Sequence, residues 1–164
     1  MIQIKKAVTS EDFQMIEQLA REIFPGVYTT IPLSHTLFFI ESFQTEKAIA
    51  EQIANEHYQY FLLYFHQQVA GYLGIQLLEN RLHLSKLYIL SNYRGQKIGK
   101  AALELVDQLA HTNQCQTIDL YVNRHNEDTI KIYQKTGYTI EALVPHTYDN
   151  GHVEEDYKMV KALP

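Results

Sequence analysis

Arg94, Gly95, Gln96, Lys97, Ile98 and Gly99 gather two glycines and two cations where a helix should begin, and Lys100 follows at once. The first turn of a helix carries free backbone N–H groups and a partial positive charge, and glycine lets an anion come close to the backbone. That chemistry suits a pyrophosphate. The spacing is neither GxxxxGK followed by Ser or Thr nor GxGxxG, so it is not a P-loop or a dinucleotide fingerprint. Taken alone, the stretch fits a plain strand-to-helix turn about as well.

A second set downstream reads N-x-x-N-x-x-x-I-x-x-Y-x-K-x-G-Y, from Asn123 through Asn126, Ile130, Tyr133, Lys135 and Gly137 to Tyr138. Together with YRGQKIGKAAL it resembles the GNAT family of N-acetyltransferases, and the resemblance runs through the whole chain in the order of its elements. It implies an enzyme that uses acetyl-CoA as cosubstrate and passes the acetyl group to a primary amine by direct attack in a ternary complex. The family's motif is Q/R-x-x-G-x-G/A. Arg94 opens it here, Gly99 closes it, and Lys97 stands where the middle glycine usually is, where an ammonium could add charge toward the phosphates. Gly95, Gln96, Ile98 and Lys100 complete the implied phosphate seat. The backbone amides of Leu87, Tyr88 and Ile89 are the implied partners of the pantetheine arm. Asn126 is an implied contact of the same arm, and by residue type it also suits a helix N-cap.

The resemblance makes Tyr133 the candidate acid, beside the cofactor's sulfur. A hydroxyl there can protonate or hydrogen-bond the departing thiolate, an effect typically worth about 10²–10⁴ in rate. Without the family position, Tyr133 reads as a core aromatic at helical spacing from Ile130. A base is also needed, because an amine with a pKa near 10 is only about a thousandth neutral at pH 7, and freeing it costs roughly 4 kcal/mol. His83 occupies a strand position where the family often has glutamate, and imidazole titrates near neutrality. It could equally be a solvated face residue.

Within the family, YFLLYFHQQVAGY, FFIESFQTEKAIAEQIAN and the terminal H-x-Y-x-x-G with D-Y-K-M are similar to bacterial spermine/spermidine acetyltransferases of the PaiA type. The expected acceptor is therefore a small amine or polyamine such as spermidine or spermine. Glu41, Glu79, Glu154 and Glu155 are carboxylates available to it, none assigned. Two alternatives stay open: an acetyltransferase for protein or peptide N-termini, and a non-catalytic acyl-CoA-binding regulatory domain.

These residues need a scaffold. Ile2 to Val8 reads as a strand, and Thr9, Ser10 and Asp12 cap a helix carrying Phe13, Ile16, Leu19, Ala20 and Ile23, expected to end near Phe24 because Pro25 and Gly26 break it. LSHTLFFIESF and a segment capped by Thr45 read as two further helices. Tyr58 to Phe65, Val69 to Leu78 and the strand entering the motif form an antiparallel meander. The helix after the motif runs to about His111, and Thr117 to Val122 comes next as a parallel strand by a right-handed crossover. Asn126 then starts the helix Glu127 to Thr136, with Gly137 at its C′ position. Tyr138 to Val144 and Glu154 to Val160 flank a turn at Asp149, Asn150 and Gly151. The expected fold is α/β of the GNAT type: a mixed, mostly antiparallel sheet of six to seven strands, flanked by about four helices, with a splayed parallel pair at the cofactor site. The N-terminal helices and the segment Phe24 to Phe39 should wall the amine site, and the hairpin at Asp149 should close its other side.

Composition is consistent with this. The 164 residues suit one domain, residues 1–164, with 46% hydrophobic and 20% charged residues and no repeat. A net charge of −5 argues against nucleic acid as partner. Cys115 is the only cysteine, which excludes an intrachain disulfide and suits a reducing compartment. The eight histidines show no HExxH spacing, so no metal is expected. Neither a leader nor an apolar run of membrane-spanning length is visible, which points to the cytoplasm. Edge strands could pair two copies into a dimer.

Overall fold

The computed structural model describes residues 1–148 and 151–164, so Asp149 and Asn150 of the expected turn lie outside the described residues. Among the described residues, seven strands form one sheet in the order β1-β2-β3-β4-β5-β7-β6: β1 (Ile2–Lys6), β2 (Tyr58–Phe65), β3 (Gln68–Leu78), β4 (Arg81–Ile89), β5 (Thr117–Asn123), β6 (Thr139–Thr147) and β7 (Val153–Ala162). All neighbouring pairs are antiparallel except β4 and β5, which run parallel as the crossover requires. Five α-helices of the described residues accompany the sheet: α1 (Ser10–Val27), α2 (Leu33–Phe43), α3 (Glu46–Asn55), α4 (Ile98–Thr112) and α5 (Glu127–Lys135).

Alternation along the strands divides the core between the two faces. Phe61 and Leu63 of β2, Leu73 of β3, Leu82 and Leu84 of β4, and Ile118 and Leu120 of β5 point toward α4 and α5, where they meet Ile98, Ala102, Val106 and Ile130. Tyr60, Leu62 and Tyr72 point the other way, onto Ile16, Leu19, Ile23 and Phe24 of α1, Ile40 of α2 and Ile49 of α3. No helix among the described residues is long and apolar enough to cross a membrane.

The helix ends show local chemistry at work. Thr9 accepts a hydrogen bond from the Asp12 N–H at 3.2 Å while Asp12 accepts from the Thr9 N–H, a closed capping box. Gly137 sits just past α5 with φ +102°, as the left-handed C′ position demands. At α1 the expectation fails: the helix does not stop near Phe24 but continues through Pro25 to Val27. Pro25 lies in the last turn, where its ring removes one N–H and leaves the rest of that turn intact. The Tyr28 N–H still bonds the Phe24 carbonyl at 2.9 Å.

Candidate active site

Six consecutive backbone N–H groups, Gly95 through Lys100, have no hydrogen-bond partner among the described residues; the ladder of α4 begins only with the Ala101 N–H on the Lys97 carbonyl. The turn Ser91–Tyr93 carries the chain off the end of β4, and the Arg94 Nε donates back to the Ile89 carbonyl at 3.4 Å. Gly95 at φ +79° and Lys97 at φ +66° are both left-handed, which curls the loop so that its amides gather at the helix start. This explains why a glycine is usual at the position of Lys97. Lysine holds that conformation at a cost of about 1–2 kcal/mol, with its side chain exposed.

The parallel pairing of β4 with β5 stops at Leu84 and Leu120, although β4 continues to Ile89 and β5 to Asn123. Between Ser85–Ile89 and Tyr121–Asn123 the strands diverge, leaving one backbone edge of β4 unpaired along Leu87, Tyr88 and Ile89. The wedge runs toward the free amides at the start of α4. A free strand edge leading into a nest of N–H groups fits an amide-bearing arm that ends in a diphosphate, so the residues present fit coenzyme A.

Tyr133 of α5 packs against the core on the α4 side of the sheet. Its ring packs edge-on against Tyr138 at 5.5 Å, its hydroxyl makes no hydrogen bond among the described residues, and burial pushes its pKa up to about 12. It lies close enough to Tyr88 to influence that hydroxyl electrostatically. Asn126 departs from one expectation: it occupies the N-cap position of α5, but its side chain makes no capping hydrogen bond and stays exposed. The carboxamide is thus available to another partner.

His83 projects from the paired part of β4, on the face away from α4. Its Nδ1 lies 2.6 Å from Asp119 Oδ1, across the parallel register, and Arg81 holds the other oxygen of the same carboxylate. Burial pushes the Asp119 carboxyl up, but the hydrogen bond and charge of His83 and the charge of Arg81 outweigh it and leave the group below the usual carboxylate range. Asp119 therefore remains ionised and holds His83 by one ring nitrogen.

Side chains to which sequence reasoning gave no individual role line the mouth of the wedge, among them Glu154, one of the carboxylates it left unassigned. Tyr28, just past α1, shares a hydroxyl–hydroxyl hydrogen bond with Tyr88 of β4. Glu154 and Asp156 of β7 lie on the same face of the sheet. Thr30 donates to Glu154, Asn123 donates to its other oxygen at 3.2 Å, and His152 lies 3.0 Å from it. The hydrogen bonds from Thr30 and His152 keep Glu154 below its usual pKa. Asp156 behaves oppositely: burial pushes it up, His146 at 3.0 Å pulls it partly back, and the charge of Glu154 raises it again. Its charge is also felt by Tyr28. His35 of α2 meets Tyr148 at 5.6 Å, so the segment after α1 touches the last hairpin twice, as two walls of one opening. Of the other carboxylates considered from sequence, Glu41 pairs with Arg21, Glu155 pairs with Arg124, and Glu79 sits exposed in the β3–β4 turn. The H-x-Y-x-x-G and D-Y-K-M runs and the unassigned Glu154 hinted at this cluster, but none of them says which acids turn inward.

Residues 13–138 match the acetyltransferase (GNAT) family. The chain is 26% identical over 148 residues to spermidine N(1)-acetyltransferase of Thermoplasma acidophilum, covering 85% of this chain and 89% of that protein. The crystal structure of PaiA N-acetyltransferase from Thermoplasma acidophilum in complex with coenzyme A matches with a TM-score of 0.80 at 21% identity, covering 99% of both chains. The ribosomal-protein-S18-alanine N-acetyltransferase of Escherichia coli matches with a TM-score of 0.75 at 19% identity, over 99% of this chain and 94% of that one. At such identities the two structures speak to the fold.

Proposed function

Since the chain belongs to the acetyltransferase (GNAT) family and is an acetyl-CoA-dependent acetyltransferase, we propose that its acceptor is a small polyamine of the spermidine type. The observation that carries the reading is the pair Glu154 and Asp156 at the mouth of the wedge, faced by Tyr28, Thr30 and Tyr148. Two carboxylates on one wall suit a ligand with several ammonium groups along a flexible chain. The similarity to a spermidine acetyltransferase supports the same choice.

Acetyl-CoA supplies a thioester carbon open to attack by an amine. The Gly95–Lys100 amides, with Arg94 and Lys97, hold the diphosphate, where a helix start contributes about 0.3–1 kcal/mol and several N–H groups must act together. The free edge at Leu87, Tyr88 and Ile89 holds the pantetheine, with the Asn126 carboxamide beside it. Glu154 and Asp156 draw in the polyamine by its remote charges. His83, steadied by Asp119, takes the proton of the attacking ammonium. Tyr133 donates its hydroxyl hydrogen toward the sulfur as the carbon–sulfur bond opens. Residues 1–164 act as a single domain in this scheme. The cytoplasm is the natural setting, as a compartment that holds acetyl-CoA and keeps Cys115 reduced.

The test is the response of the two substrates to charge removal. Glu154→Gln with Asp156→Asn should raise the KM for spermidine about 10-fold or more, the worth of one charged hydrogen bond, and leave the KM for acetyl-CoA unchanged. An unaltered spermidine KM would remove the acidic wall from substrate binding.

A further inference from the structure

Lys86 is an amine that none of these roles uses. It lies on β4 within the Ser85–Ile89 stretch that has left β5, one residue before the implied pantetheine contacts. Leu87 and Ile89 turn toward α4, while Lys86 and Tyr88 turn to the opposite face, the side of Tyr28 and the acceptor mouth. Across the register stands Gly74 of β3. A Cβ there would come within 3.3 Å of the Lys86 stem and 2.9 Å of the Tyr60 ring, so the glycine leaves a lane in which the lysine lies. The Nζ sits 2.7 Å from Ser85 Oγ and 5.7 Å from the Phe39 ring centroid.

Unlike Lys5, Lys158 and Lys161, Lys86 has no carboxylate partner among the described residues. The groups around it are Ser85 from its own strand, Phe39 from α2 and Tyr60 from β2, none charged at neutral pH. Burial alone lowers its pKa to about 8. About one molecule in ten would then carry a neutral amine at pH 7, against about one in 3,000 for an ordinary lysine.

We propose that the enzyme acetylates itself on Lys86 and that the acetylated side chain closes the acceptor channel. The neutral Nζ attacks the thioester carbonyl carbon; a carbon–nitrogen bond forms and the carbon–sulfur bond breaks. The proton lost by the nitrogen ends on the coenzyme A thiol, so the step needs no further reactant. An acceptor amine competes with Lys86 for the same carbon, which makes self-acetylation a brake applied when acetyl-CoA is plentiful and acceptor is scarce. The inference rests on the acetyltransferase assignment, not on the polyamine reading.

The test incubates the full chain with acetyl-CoA and no amine, then locates acetyl groups by intact-mass and peptide mass spectrometry. Lys86 should carry the acetyl group, at most one per chain from this route, while the urea-unfolded chain is modified evenly over its lysines. The rate at Lys86 should rise about five-fold from pH 7 to pH 8. In Lys86→Arg this acetyl group should be missing. Lys86→Gln, which imitates the acetylated side chain, should bind coenzyme A normally and lose amine turnover; wild-type turnover in that variant would overturn the closure. No acetyl on Lys86, or acetylation there no faster than at exposed lysines, would overturn the self-acetylation. A protein that acetylates spermidine but never Lys86 keeps the polyamine reading and loses this one; one that labels Lys86 but turns over no polyamine does the reverse.

Discussion

Replacing Tyr133 by Phe isolates one atom. The ring contact with Tyr138 at 5.5 Å does not need the hydroxyl, and the hydroxyl has no hydrogen bond to lose among the described residues. Folding stability should therefore stay within about 0.5 kcal/mol of wild type, the range of substitutions that disturb no packed or paired group. With its pKa pushed up to about 12, the hydroxyl is ionised in only about one molecule in 10,000 at pH 8, so it remains a donor throughout the working range. Loss of a general acid typically costs about 10²–10⁴ in rate, or roughly 2.7–5.5 kcal/mol of transition-state stabilisation. The measurement is thiol release at saturating acetyl-CoA and spermidine, alongside coenzyme A binding by calorimetry. The expected result is a fall of at least about 100-fold in kcat with unchanged coenzyme A affinity and melting temperature. A kcat within a few-fold of wild type would refute the role, and a matching loss of affinity would mean that the hydroxyl holds the cofactor instead.

Lys97→Gly should raise stability by about 1 kcal/mol, by relieving a left-handed lysine, and should weaken coenzyme A binding by taking an ammonium away from the diphosphate; thermal melts and calorimetry separate the two effects, and unchanged affinity would remove Lys97 from phosphate binding. Asp119→Asn should cost about 1.5–3 kcal/mol, the worth of hydrogen bonds to a charged group, read by urea unfolding. Because the folded pKa of Asp119 is depressed, the stability it provides is complete above its unfolded pKa of about 3.9 and is lost as pH falls through the lower folded value. The wild type should thus weaken on the acid side of pH 4 more than the Asn variant does.

Local chemistry made much of the fold legible. The capping box needs only Thr9 and Asp12, the C′ glycine only Gly137, and the parallel strand pair only a strand, a helix and a strand in that order. Pro25 misled because its residue type marks a break, whereas its place in the last turn makes that break cheap. Asn126 misled in the opposite direction: the residue type suits a cap, but the side chain does not make the bond. The loop of free amides at the start of α4 was readable because one continuous stretch supplies it. The cluster at the mouth of the wedge was legible only as two segments, the one after α1 and the last hairpin; which side chains meet was not, because Tyr28, Tyr88, Asn123, Glu154 and Asp156 come from the end of α1, β4, β5 and β7. Only the sheet order, with β7 inserted beside β5, brings these acids to the wedge. The coupling of His83 to Asp119 likewise depends on parallel register, which the sequence does not state.

Transfer of the acetyl group to a polyamine is tested most directly by initial rates of thiol release from acetyl-CoA, compared across spermidine, spermine, amino acids, aminoglycosides and peptides with free N-termini. The value of kcat/KM should be highest for spermidine or spermine and should fall with added salt, as binding by carboxylates requires. Preference for an N-terminal peptide over both polyamines would contradict the assignment.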